Sequence, residues 1–64
     1  MEREITIIVK YDSEADALYI PISAETVTRT EDIGDDINVD FGGEKVVGIE
    51  ITNVSIHAPS LIGE

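Results

Sequence analysis

Tyr11-Asp12-Ser13-Glu14-Ala15-Asp16-Ala17-Leu18-Tyr19-Ile20 sets an acidic turn between two apolar, strand-forming runs. Asp12, Ser13 and Asp16 bond readily to their own nearby backbone and favour a reversal, while Tyr11 on one side and Leu18 and Ile20 on the other favour extended chain. The stretch predicts a β-hairpin with a loop of about four or five residues. Nothing in it names a reaction.

Upstream, Glu4 to Tyr11 alternates, with Ile5, Ile7, Val9 and Tyr11 on one face and Glu4, Thr6, Ile8 and Lys10 on the other, which predicts a half-buried first strand. Downstream, Leu18, Ile20 and Ile22 share a face in the second strand. Pro21 has no N–H to give a ladder, so its nitrogen should point away from a pairing neighbour, at an edge or a bulge. Thr26–Thr30 predicts a polar third strand resting on threonine propensity. Glu31–Asp36 reads as a turn in which Gly34 permits positive φ. Ile37, Val39 and Phe41 then alternate inward, Gly42-Gly43-Glu44-Lys45 turns, and Val47, Ile49 and Ile51 form the buried side of a last strand. Gly48 within that strand marks a bulge or a close approach. Pro59 and Gly63 argue against a stable helix in the tail, and residues 57–64 are open to disorder.

The fold class expected is therefore all-β or β-rich: one domain over 1–64, a small antiparallel meander of about five strands in one curved sheet. No helix is expected to cover the apolar face bearing Ile5, Ile7, Leu18, Ile20, Val39, Phe41, Ile49 and Ile51. Completion by a homo-oligomer, with a dimer as the first choice, is the expected remedy.

Composition narrows function mainly by exclusion. A chain of 64 residues is close to the lower limit for an unaided core, and with no cysteine and one histidine it has neither a disulfide framework nor a histidine or cysteine metal cluster to help. Fourteen Asp and Glu against four Lys and Arg give a net charge of −10, which opposes contact with nucleic acid or an anionic membrane; its first reading is solubility, and its sharper one is attraction to a basic protein partner. No apolar run reaches the roughly 20 residues of a membrane helix, and the acidic start Met1-Glu2-Arg3-Glu4 lacks a signal-type basic segment, so the expected location is cytoplasmic.

Five blocks together carry a family likeness: Tyr11-Asp12, Glu14 to Ile20, Thr30-Glu31, Ile37-Asn38-Val39-Asp40 and Val46 to Ile51. Over about residues 5 to 54 the chain resembles DUF2283, a small prokaryotic family of unknown function. The resemblance implies no assigned activity. It implies a short helical segment after the last strand, where this chain places Pro59. It also suggests an antitoxin-like role beside compact toxin-like neighbours.

Candidate chemistry is sparse. Asp12, Glu14 and Asp16 begin like a calcium loop, but Ala17 stands where glycine is needed and Ser23 where a bidentate glutamate is needed. Asp35-Asp36 fits turn chemistry better than a carboxylate dyad. Asp40 and Glu50, expected on adjacent strands and on one face, are the single pair that could approach and split their pKa values. Arg29 and Lys45 are placed to neutralise that face. His57 stands beside no nucleophile motif and reads as a surface residue. No catalytic, cofactor or metal residues are assigned. The expected function is a small, acidic, non-enzymatic interaction module, possible alternatives being a self-contained structural homo-oligomer or a carboxylate-based metal protein or enzyme.

Overall fold

A computed structural model describes residues 1–63. Five antiparallel strands form one open sheet: β1 (Lys10–Asp12), β2 (Ala17–Pro21), β3 (Arg29–Gly34), β4 (Ile37–Gly42) and β5 (Lys45–Thr52), ordered β1-β2-β5-β4-β3. This is the expected class, but the strand order is not that of the expected meander. Sequential pairing holds within β1-β2 and within β3-β4-β5, and the segment 22–28 carries the chain past two strands so that β2 lies against β5, a Greek-key order.

Local chemistry fixes the turns. Asp12 Oδ1 accepts the amides of Glu14 and Ala15 at 3.0 and 3.3 Å, closing the first hairpin as an Asx-type turn. Between the paired Gly34 and Ile37 stand only Asp35 and Asp36, with φ of 54° and 63°. Two left-handed central residues are the requirement of a type I′ turn, whose twist matches the flanking strands. The predicted turn thus shrinks to two residues, and Glu31–Gly34 becomes strand. Backbone pairing with β4 outweighs the weak strand preference of Glu-Asp-Ile-Gly, and the residual conflict shows as a register shift between Asp32 and Gly34. Thr26, Val27 and Thr28, expected in a strand, lie in the crossing segment instead.

Register stacks apolar side chains in cross-strand rows, Leu18–Ile51–Ile37 and Ile20–Ile49–Val39, on one face. A second register shift between Asp40 and Phe41 sets Phe41 opposite Val46, beside Val47. Arg29 closes this end of the face: its guanidinium lies 4.3 Å above the Phe41 ring, bonds Glu31 and donates to the Gly43 carbonyl. The tail covers the other end. After Asn53 it forms α1 (Val54–His57) and a 3-10 turn (Pro59–Ile62), burying Val54 completely and bringing Leu61 to a cleft shared with Val9, Tyr11, Leu18, Ile20 and Ile51. Of the tail 57–64, Glu64 lies outside the described residues.

This cover is partial. Among the described residues the buried apolar set is Ala17, Leu18, Val39, Val47 and Val54. The molecule is 18 Å thick, and its radius of gyration of 12.7 Å exceeds the roughly 10.7 Å of a compact chain of this length. Its accessible surface, 5048 Å², exceeds the roughly 4,000 Å² usual for a monomer of 7.0 kDa.

The first strand is the principal correction. Of Glu4 to Tyr11, only Lys10 and Tyr11 are strand, and residues 1–9 belong to no element. Pro21 supplies the reason. The Ile22 amide donates to Val47 of β5 at 2.8 Å, so by alternation the Pro21 nitrogen faces the opposite side, where the register puts Ile8. With no N–H there, the ladder stops, and the arm departs along a groove lined by Ile5, Thr6, Ile7, Ile8, Pro21 and Ile22. Pro21→Thr restores that donor. It should extend β1 toward Ile8, seen as increased protection of the Ile8 amide in hydrogen exchange; unchanged protection would assign the detachment to another cause.

Candidate functional site

Two arrangements collect the polar side chains that the sequence singles out. The first is the polar face of the sheet, where register places Tyr19, Glu50 and Asn38 in one row and Gly48, Asp40 and Thr30 in the next. Tyr19 reaches diagonally across Gly48 and donates its phenol to Asp40 Oδ2 at 3.1 Å, while Thr30 donates to Asp40 Oδ1 at 2.6 Å. Asn38 donates to Glu50 Oε1 at 3.2 Å. One hydrogen-bonded line therefore spans β2, β4 and β3 across the bare backbone of β5. Gly48 is required, because a Cβ there would collide with the Tyr19 phenol.

Asp40 and Glu50 do share this face, as expected, but each meets a neutral partner rather than the other. Partial burial of the phenol raises the Tyr19 pKa above its ordinary value, and the bond to Asp40 and the charges of Asp40 and Glu50 raise it further. Tyr19 thus remains a protonated donor at neutral pH. Arg29 and Lys45 do not neutralise this face, contrary to expectation: Arg29 lies over Phe41 on the other side, and Lys45 sits 3.8 Å from Glu25. The expectation failed because it assigned them a side without the register.

The second arrangement is an acidic end. Strand order brings the 12–16 turn and the Asp35–Asp36 turn to the same end of the sheet, on either side of the C-terminal end of β5, where Thr52 donates to the Asp36 carbonyl and Val54 to the Asp16 carbonyl. The two acidic turns hold the short helix between them. Asp16 accepts from the Ser55 hydroxyl at 2.6 Å and from the Ser55 amide at 3.1 Å, capping α1 in place of its own N-cap Asn53, which makes no side-chain cap. Tyr11 donates to the same carboxylate. At the other side, His57 Nε2 lies 2.8 Å from Asp36 Oδ2. His57 is an exposed residue, as read, with a carboxylate partner that sequence spacing could not reveal.

Asp12, Glu14 and Asp16 do not converge on a cation position. Asp12 is engaged with its own turn and Asp16 with Ser55, and no group of three or more His, Cys, Asp or Glu side chains suited to a metal ion occurs among the described residues. Asp35 and Asp36 serve turn and tail rather than each other.

Hydrogen bonding from Ser55 lowers the Asp16 pKa, with burial opposing and Tyr11 assisting; hydrogen bonding from His57, then Asn53, lowers that of Asp36. Both carboxyls titrate lower in the folded chain than in the unfolded one, so their stabilisation is complete above the ordinary value of 3.8 and is lost as pH falls through the depressed values. The melting temperature of the wild type should therefore fall on acidification below about pH 4 more steeply than that of Asp16→Asn/Asp36→Asn. Parallel curves would remove these two groups from the acid response.

A second test concerns the polar face. Gly48→Ala should cost about 1–3 kcal/mol by urea unfolding, and much less in a Tyr19→Ala background, where the phenol is gone. An equal cost in both backgrounds would show that the Tyr19 crossing is not what excludes the side chain.

A family model described as a protein of unknown function (DUF2283) matches residues 8–55, which is 48 of the 64 residues. No curated protein and no solved structure matches the chain. The matched span includes Tyr19, Asp40, Gly48 and Glu50 of the polar face and both members of the Asp16–Ser55 contact. The chain belongs to the DUF2283 family of proteins of unknown function.

Proposed function

We propose that this chain is a small, non-enzymatic module that binds a basic protein partner through the acidic end of its sheet. The observation that carries the reading is the convergence of two separate acidic turns on α1. Asp12, Glu14, Asp16, Asp35 and Asp36 meet there, while residues 11–16, 33–36 and 52–58 contain no Lys or Arg and only His57 as a base. Such a one-signed field accelerates encounter with an opposite charge and discourages phosphate backbones and anionic membranes. No helix of the described residues is long and apolar enough to cross a membrane.

A role in catalysis is not part of this reading, and the polar face supports leaving it out. The carboxylates there are held by Tyr19, Thr30 and Asn38, and Tyr19 is held in its protonated form. Inhibition of a small basic protein, the antitoxin-like role that the resemblance suggests, is the specific form of the proposal.

The test is affinity purification of the tagged chain from its native cell at moderate salt, beside Glu14→Lys/Asp35→Lys, two exposed positions outside the tail contacts. The expected result is one basic protein recovered in stoichiometric amount with the wild type and lost with the reversal. Its association rate, measured with purified components, should fall as salt rises. Recovery indifferent to the reversal, or of no companion at all, would refute the proposal.

A further inference from the structure

We propose that the N-terminal arm pairs with the arm of a second copy of this chain, antiparallel and centred on Ile7, joining two sheets edge to edge into a dimer. The inference is independent of the basic partner. It starts from an apolar, strand-patterned segment that has no strand partner: Ile5 and Ile8 are 78% and 75% exposed, and Ile7 and Val9 about half exposed. Pro21 withholds the donor that would have kept this segment on β2. A run of extended residues with free backbone groups is a template for another strand.

The two edges of the sheet differ in a way that selects this one. Edge strand β3 carries Glu31 and Asp32 and a register shift between Asp32 and Gly34, which obstruct continued pairing. Residues 1–10 carry Glu2 and Glu4 against Arg3 and Lys10, so the arm's side chains are electrically neutral on a chain of net charge −10. It is therefore the edge along which two such chains can meet with least repulsion.

Register follows from the same residues. In an antiparallel pair centred on Ile7, Ile7 faces itself, Ile5 faces Val9, Thr6 faces Ile8 and Glu4 faces Lys10. Apolar residues meet apolar ones on one face, and on the other each copy's Glu4 meets the second copy's Lys10. Because β1 already sets Tyr11 beside Leu18, the arm's Ile5, Ile7 and Val9 continue the apolar face of the sheet into the second copy. The surface excess of about 1,000 Å² over a compact monomer is on the scale of the roughly 800 Å² per partner that a standard interface buries.

The test measures the dimer constant by sedimentation equilibrium for the wild type, Glu4→Lys, Lys10→Glu and the double reversal, with circular dichroism confirming the fold of each. The wild type should sediment at twice 7.0 kDa. Each single reversal sets like charges together at two symmetric places and should weaken the dimer about tenfold, and the double reversal should restore it. The chain has no cysteine, so Ile7→Cys should give a covalent dimer on mild oxidation, whereas Val27→Cys, also exposed, should not. A 7.0 kDa species throughout the micromolar range, single reversals without effect, or a double reversal that fails to restore the dimer would each overturn the proposal.

Discussion

The crossing of Tyr19 over Gly48 adds a side-chain tie to the backbone pairing that sets the sheet's order. Strands β2 and β4 each pair with β5, and the ladder does not join them to one another directly. By leaving β5 bare at one position, Gly48 lets a side chain from β2 reach Asp40 on β4, which Thr30 on β3 also holds. A bond of this kind adds about 1 kcal/mol in net terms, and it is lost if either strand is displaced. The same contact that stabilises the Greek-key order therefore penalises the alternatives to it. Register then does the rest: once Tyr19 sits opposite Glu50, Leu18 and Ile20 must point to the other face and meet Ile51 and Ile49.

A five-stranded sheet has two faces, and this chain has residues to cover only part of one. The polar face is solvated and internally bonded. The apolar face is closed at one end by Arg29 on Phe41 and at the other by α1 and the 3-10 turn. Four residues of helix have little stability of their own, so the tail holds because Val54 is buried and because Asp16 and Asp36 grip it from two turns. That division of labour explains why the acidic turns are not simply loops: they are the docking points for the cover that the described residues give that end of the face.

How much of this could be read from the chain depends on the range of the interaction. Hairpins whose determinants are adjacent, the 12–16 turn and Gly42–Lys45, were readable, as were the inward-facing residues of β4 and β5. Gly48 inside a strand signals a bulge or a close approach, and the Tyr19 phenol lies over it with the register shift beside it at Val47. Glu4–Val9 misled because its alternation is real, while the residue that denies it a partner, Pro21, acts from a different strand. Residues 31–34 misled in the opposite sense, since their composition favours a turn and only the pairing with β4 makes them strand. The approach of Asp16 to Ser55, or of Asp36 to His57, could not be read at all: the first depends on β2 lying beside β5, and the second on the tail turning back from the end of β5 toward the start of β4.

That same strand order sorts the charge. With a sequential order, β5 would stand at an edge, with the 35–36 turn beside its C-terminal end and the 12–16 turn two strands further off. Placing β5 centrally gathers them around its C-terminal end, while the four cations lie elsewhere: Arg3 and Lys10 in or beside the arm, Arg29 and Lys45 toward the Gly43 turn. The result is a molecule whose negative field is strongest at one end and whose neutral, apolar arm lies along one edge. Attraction for a basic partner and association with a second copy then need not compete for the same surface. Asp12 ends the edge strand β1, but Asp35 and Asp36 lie on the far side of β5, and the apolar residues that could join two chains add nothing to the acidic end. Two residues without ordinary strand chemistry shape this division: Gly48, which leaves room for Tyr19 to cross the central β5, and Pro21, which frees the arm.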